Sequence, residues 1–509
     1  MPSRCAALRA PRFPLAAILL ASFLAPAAAR AVPKGDPCAA IEARIASRLA
    51  GVSCFASTDL TTSNPATTPA NNSLAGAPAG AFTPVTDRAV IAPATPLKTP
   101  ITKVVPGVQL DAALADDPTG QSRFLLRVPD DWNGRLVVAG ASGTRSEFNG
   151  DFAWSDYVVQ KGYAYASQNK GVWNLRITSL ASATPPNDLA CRLNPSSTVW
   201  VNFFDNDPGK EFTQWGPAIV AAAALARDAL VALKGAPPRF TYAVGTSNGG
   251  YQVRRAIELA PHVFDGGVDW EGTFVDEGAP NILTDLPPAI LNFPDYVASG
   301  FSSTSTAAKN ILAAGYPPDI VSGTTPPTSL WGLYNAQFWE VTQCQWQKRL
   351  DPTYDTYGSG TGTYNYVNRL SESDVGAQLA AFANTGRLLR PLITIAGTMD
   401  ALLPINHHAR AYARKVAAVR AADLGRGPDD ERRAPYRLYE VQNGNHIETF
   451  QLTFPQLEII EPHAQRAFDL LVDNVEKRVP LPPDQCIARG GAISASPAQP
   501  GHCAALFVP

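Results

Sequence analysis

The chain has 509 residues, with 42 basic and 44 acidic side chains and a formal charge of −2. Charged residues are 17% and hydrophobic residues 45%, so the chain can bury a large core and lacks the composition of a disordered one. The near-neutral balance argues against a polyanion-binding protein, and no nucleic-acid partner is expected, while length alone suggests about three domains at roughly 150 residues each.

Arg4, Arg9 and Arg12 precede the apolar run 14–24, which is followed by the small residues Ala25, Ala27, Ala28 and Ala29. That is the order of a secretory signal, and the run is shorter than the roughly 20 residues that cross a bilayer. Residues 1–29 are therefore expected to be a signal peptide, cleaved after Ala29 or Ala31, and the product to be secreted or periplasmic without membrane insertion. Losing three arginines and no acids moves the charge from −2 to −5. Of the seven cysteines, Cys5 lies in this segment, and an even set in an exported chain implies disulfides. Proximity pairs Cys38 with Cys54 and Cys486 with Cys503, which leaves Cys191 and Cys344 for a long-range bridge. Zinc is disfavoured, because no C-x-x-C occurs and no histidine stands at ligand spacing from a cysteine.

Residues 30–105 read as an irregular extension, since Ser57 to Pro100 is rich in Ser, Thr, Pro, Ala and Asn. Beyond Val108, strand-length apolar runs occur at 122–129, 134–140, 162–167, 239–245, 266–270, 390–397 and 437–442. Helical patterns cover 216–233 and 249–259. Strands alternating with helices predict an α/β fold with a mostly parallel central sheet and helices on both faces. Residues 106–270 and 390–509 are assigned to this core. The 271–389 stretch, with Trp331, Tyr334, Phe338, Trp339, Trp346, Tyr354, Tyr357, Tyr364 and Tyr366, is too long for a structureless loop. It reads as an inserted cap whose aromatics mostly build its own core.

Gly245-Thr246-Ser247-Asn248-Gly249 satisfies G-x-S-x-G between a strand and a helix, the context of a nucleophile elbow. A serine hydroxyl needs a general base, itself held by a carboxylate. Of six histidines, His262 ends the helix after the elbow, His407 and His408 follow a strand exit, His463 enters a C-terminal helix and His502 is in the tail. His446 follows the strand 437–442 in the turn Asn443-Gly444-Asn445 and is the expected base. Asp400, in the exit turn after Gly397, is the expected acid, preferred over Asp269 at the end of an earlier strand. Oxyanion donors are expected from the amide of Asn248 and from the loop Gly140 to Thr144, where Ala141 and Ser142 are the favoured amides. The substrate-binding residues stay open.

Taken together these residues resemble the tannase and feruloyl esterase family of α/β-hydrolases. The likeness lies in Val128-Pro129 through Trp132-Asn133-Gly134-Arg135-Leu136, in Lys161-Gly162-Tyr163-Ala164, in the Ser-x-Gly-Gly elbow of Ser247 to Gly250, and in Leu379 to Phe382 ahead of Gly397 and Asp400. Hydrolases of 3-hydroxybutyrate oligomers look similar around a Ser-Asn-Gly-Gly elbow, and Asn248 leans toward them. The resemblance implies an α/β-hydrolase fold and ester hydrolysis. Thr246 and Ile447 stand where tannase-type enzymes carry bridged cysteines, which weakens the case for gallate or ferulate esters. No dense run of carboxylates suggests the calcium site of such caps, and neither metal nor cofactor is expected for the chemistry. The predicted activity is thus an exported serine carboxylic-ester hydrolase acting on small or oligomeric esters. A serine peptidase with the same three residues and a non-catalytic binding module are the alternatives.

Overall fold

The structure, a computed structural model, describes residues 36–68, 98–143, 146–171, 211–354, 361–422 and 434–509, with the short stretches 176–178, 191–192, 194 and 200–202. The expected signal peptide, Cys5 and Tyr357 lie outside the described residues.

Ten strands form one sheet: β1 (Leu49–Ser57), β2 (Gly107–Leu114), β3 (Arg123–Pro129), β4 (Arg135–Gly140), β5 (Ala164–Gln168), β9 (Phe240–Thr246), β10 (Gly266–Trp270), β11 (Leu392–Gly397), β12 (Tyr436–Val441) and β13 (Gln485–Ile487). Their order is β1-β2-β3-β5-β4-β9-β10-β11-β12-β13. The pairs β1/β2, β2/β3 and β3/β5 are antiparallel, and every pair from β5/β4 onward is parallel. The three short strands β6 (Arg176–Thr178), β7 (Cys191–Arg192) and β8 (Trp200–Asn202) form a separate antiparallel sheet. With the serine elbow directly after β9 and one crossover placing β5 outside β4, the main sheet has the α/β-hydrolase arrangement.

The central strands are apolar on both faces, as parallel strands covered by helices must be. Leu136 and Val138 of β4 join one core with α1 (Pro37–Ile45), α2 (Trp215–Lys234), α3 (Asn248–Leu259) and α6 (Ala409–Ala422). Val137 and Ala139 face the other core, where Phe468 and Leu471 of α7 (Glu461–Lys477) pack. Each fully buried aliphatic side chain contributes about 1.5–3 kcal/mol, so a one-residue slip of any of these strands would exchange two packed faces at large cost. The α2 region is long and apolar enough by composition to cross a bilayer. It buries Ile219, Ala222, Ala226 and Leu230 in the core beneath the sheet.

Residues 30–105 are not irregular throughout. Pro37–Ile45 is helical, and Leu49–Ser57 extends the sheet as its edge strand. The sequence hides this because β1 has no alternation of large apolar residues: its burial pattern reads buried at the ends and exposed or half-buried between. The following stretch is held by polar contacts. Thr62 donates its backbone N–H to Asp156, and the Thr67 carbonyl accepts from Arg127, itself fully buried against Asp151 at 2.7 Å.

Between β10 and β11, α4 (Ile282–Ala298), α5 (Glu340–Leu350) and shorter helices build a third core of Trp331, Tyr334, Trp339, Trp346, Tyr364 and Tyr366, all buried. Asn281 caps α4 in a reciprocal capping box with Thr284. The disulfides Cys38–Cys54, Cys191–Cys344 and Cys486–Cys503 match the expected pairing. The second of them ties the small sheet, which the sequence reading missed, to α5.

Candidate active site

Ser247 closes the turn from β9 into α3 with φ 59° and ψ −125°, a left-handed backbone unusual for a residue with a Cβ. Its N–H donates to the Trp270 carbonyl at 2.9 Å, and its carbonyl accepts from Tyr251 N at 3.1 Å and Thr273 N at 3.3 Å. The turn closes only because its neighbours are glycines: a Cβ on Gly245 would sit 2.5 Å from the Gly249 carbonyl carbon. Ser247 itself is 9% exposed.

Asp400 and His446 leave the adjacent strands β11 and β12. His446 Nδ1 lies 2.8 Å from Asp400 Oδ2, while Asp400 Oδ1 accepts the backbone N–H groups of Leu402 at 2.8 Å and Leu403 at 2.7 Å. The carboxylate is therefore fixed on one oxygen and turned to the imidazole on the other. Asn443, at φ 64°, shapes the histidine loop, and its N–H donates to Thr398 Oγ1 at 2.9 Å. The cap reaches both loops: Tyr334 Oη donates to Asn445 Oδ1 at 2.8 Å, and Trp339 Nε1 to the Ala401 carbonyl at 2.7 Å.

Asp269, the alternative acid, is engaged elsewhere. Its oxygens pair with Arg254 Nε at 2.6 Å and accept from Gly272 N at 2.8 Å and Thr394 Oγ1 at 2.9 Å. The carboxylate from this strand end that does approach the histidine is Glu271, which the sequence reading missed. Glu271 Oε2 is 3.6 Å from His446 Nδ1, and Oε1 accepts from Gly397 N at 3.0 Å. Its position one residue past β10 was the available signal.

The electrostatics follow from this grouping. Burial disfavours charge on His446, but Asp400, and after it Glu271 and Glu448, hold its pKa up to about 9. Burial, reinforced by repulsion from Asp400, pushes Glu271 up to about 8. Burial pushes Glu448 up to about 7. Ligand atoms of Glu271, Asp400 and His446 lie within 4.8 Å of one another. Yet the imidazole and Asp400 stand at 2.8 Å, a hydrogen-bond distance closer than the roughly 3.3 Å that separates two ligands on a tetrahedral zinc ion with bonds of about 2.0–2.1 Å.

The amides expected as oxyanion donors stand in two different settings. Asn248 opens α3, where first-turn N–H groups have no intrahelical acceptor and the helix dipole favours negative charge. The two loop amides are already used: Ala141 N donates to Gln252 Oε1 at 2.8 Å, and Ser142 N to Asn149 Oδ1 at 2.7 Å. Side chains that the sequence reading did not single out hold this loop. Lys170, buried and at φ 62°, donates Nζ to the Ala141 carbonyl at 2.9 Å and to the Ser142 carbonyl. Gln168 Nε2 donates to Gln252 Oε1 at 3.1 Å. Beside the elbow lies a cavity of about 160 Å³ whose lining includes Gly140, Ser142, Thr246, Trp270, Glu448 and Glu461.

Residues 362–505 match the family model of 3HB-oligomer hydrolases, a span that contains Asp400 and His446 but not Ser247. Curated relatives include the D-(-)-3-hydroxybutyrate oligomer hydrolase of Burkholderia thailandensis, 32% identical over 132 residues, covering 24% of this chain and 17% of that protein. The same-named protein of Burkholderia mallei is 32% identical over 116 residues, covering 21% and 15%. The chain thus spans less than a fifth of the length of these relatives. Among solved structures, feruloyl esterase B from Aspergillus oryzae aligns with TM-score 0.46 and 13% identity, over 87% of this chain and 91% of that one. The tannin acyl hydrolase from Aspergillus niger aligns with TM-score 0.47 and 11% identity, over 87% of each. The family match fits the resemblance to 3-hydroxybutyrate oligomer hydrolases, over a span that leaves out the elbow.

Proposed function

We propose that the protein is an exported serine carboxylic-ester hydrolase. The observation that carries this reading is the His446–Asp400 pair at 2.8 Å, at the same end of the sheet as a serine on a left-handed strand-to-helix turn. In this reading Ser247 Oγ attacks the ester carbonyl while His446 takes its proton, and the tetrahedral oxyanion is stabilised by Asn248 N–H at the start of α3. Collapse breaks the bond to the alcohol, which leaves with the proton from His446. Water, deprotonated by the same histidine, then attacks the acyl-serine, releases the acid and restores the hydroxyl. Asp400 holds the ring so that Nε2 is the basic nitrogen.

The triad does not choose between ester and amide. The match to 3HB-oligomer hydrolases supports short oligomers of 3-hydroxybutyrate as the first substrates to try. Three disulfides support an oxidising compartment, in keeping with the N-terminal arginines and apolar run.

Labelling by a fluorophosphonate tests the nucleophile: the wild type should be labelled and Ser247→Ala should not, with turnover lowered by at least about 10³-fold. An unlabelled wild type would overturn the hydrolase reading. Turnover compared across 3-hydroxybutyrate oligomers, methyl ferulate, propyl gallate and a peptide amide assigns the substrate class, and preference for the amide would make the protein a peptidase.

A further inference from the structure

A serine hydrolase of this design needs one carboxylate on its histidine, and here two approach the same ring nitrogen. Glu271 comes from the end of β10, a different strand from Asp400, and its side chain is 1% exposed. It occupies a left-handed backbone position at φ 49°, which a residue with a long side chain adopts only when its surroundings hold it there. Those surroundings are specific. Glu271 N donates to the Ile395 carbonyl at 2.8 Å, Ser247 is bonded through its backbone to Trp270 and Thr273 on either side, and Oε1 receives the Gly397 N–H at the exit of β11. Oε2 has no hydrogen-bond partner among the described residues, and His446 Nδ1 stands 3.6 Å away. A buried carboxylate oxygen left without a donor is costly unless a proton or a cationic neighbour compensates it.

We propose that Glu271 is a second positioning carboxylate for His446, acting with Asp400 on the same ring nitrogen and tuning the proton affinity of the base. This rests on the reading of His446 as the general base. When ionised, Glu271 stabilises the imidazolium and so delays formation of the neutral base as pH rises. When protonated, it relieves its repulsion with Asp400 and leaves Asp400 as the sole negative partner. The other titratable groups near the histidine are Glu448, two residues along the same loop, and Tyr334 from the cap. Tyr316 and His408 interact electrostatically with Asp400. None of these brings a carboxylate oxygen as close to Nδ1 as Asp400 and Glu271 do.

The test is an NMR titration of His446 in protein carrying Ser247→Ala, with and without Glu271→Gln, using ¹³C-labelled histidine and assigning the signal by its loss in a His446 variant. Gln keeps the shape and the acceptor for Gly397 N–H but removes the charge. The His446 midpoint should fall by about one pH unit or more. With Ser247 intact, the acidic limb of the kcat/KM profile should move to lower pH by the same amount, with KM at the plateau little changed. An unchanged His446 midpoint would overturn the proposal. Should Glu271→Gln not fold, ¹³C-carboxyl glutamate in the wild-type chain decides: one glutamate titrating in step with His446 supports the coupling, and its absence overturns it. The titration needs no substrate, so a protein that hydrolyses no ester would defeat the functional reading while the NMR result still judges the contact.

Discussion

At the scale of single residues, the site distinguishes three acids that a sequence cannot rank fully. Asp400 follows the apolar strand β11 and Asp269 lies near the end of β10, and both are buried. Asp400 turns one oxygen to His446, whereas Asp269 spends both oxygens on Arg254, Gly272 and Thr394. Asp400→Asn should therefore cost about 10³- to 10⁴-fold in kcat with little loss of stability. Asp269→Asn should instead leave the Arg254 guanidinium without its carboxylate partner and cost about 3–5 kcal/mol of folding stability, read as a lowered urea midpoint. The reverse ranking in activity would move the acid to β10. Glu271 escaped the sequence reading because its place one residue past β10 does not by itself reveal the backbone φ of 49° on which its approach to His446 depends. Lys170 escaped for a related reason: a lysine after a strand reads as solvated, yet this one is buried with its ammonium on two loop carbonyls.

At the scale of elements, β3, β4, β5 and β9 to β12 follow the apolar runs closely because both faces of the main sheet are covered, so the hydrophobic signal is continuous. The edge strand β1 and the turns that follow it are stabilised by hydrogen bonds of Thr and Asp side chains, which composition presents as a linker. Cap attachment is another polar device. Asp285 of α4 lies 2.9 Å from His407 Nδ1 and 3.2 Å from His408 Nε2, beyond the exit of β11. Burial opposes ionisation of Asp285, but its two histidines hold its pKa below the usual carboxylate value. Burial also opposes charge on His407, and the Asp285 carboxylate raises it nonetheless. The stabilisation from Asp285 is thus present above the ordinary carboxylate range and lost as pH falls through its folded value. That from protonated His407 is present below its ordinary value and lost as pH rises through the raised one. Asp285→Asn should cost about 3 kcal/mol between those limits, with the difference from wild type narrowing on either side in urea melts across pH.

For the whole molecule, the length that suggests three domains resolves into one compact unit over residues 36–509, with a helical insertion packed on the strand exits. Cys191–Cys344 joins segments 153 residues apart, linking the small sheet before α2 to the cap helix α5. Replacing both cysteines by serine should lower stability by about 2–5 kcal/mol, measured as a shift in denaturant midpoint. The sequence by itself determined the central strands, the strand-to-helix turn at Ser247 and the cysteine pairing, because each is written in local periodicity, turn chemistry or proximity along the chain. Tertiary structure alone decided which acids meet His446, which loop amides are already spent, and how the N-terminal segment joins the sheet. Those outcomes depend on which strands become neighbours and on where buried polar groups find partners, and residues far apart in sequence settle that only when the chain has folded.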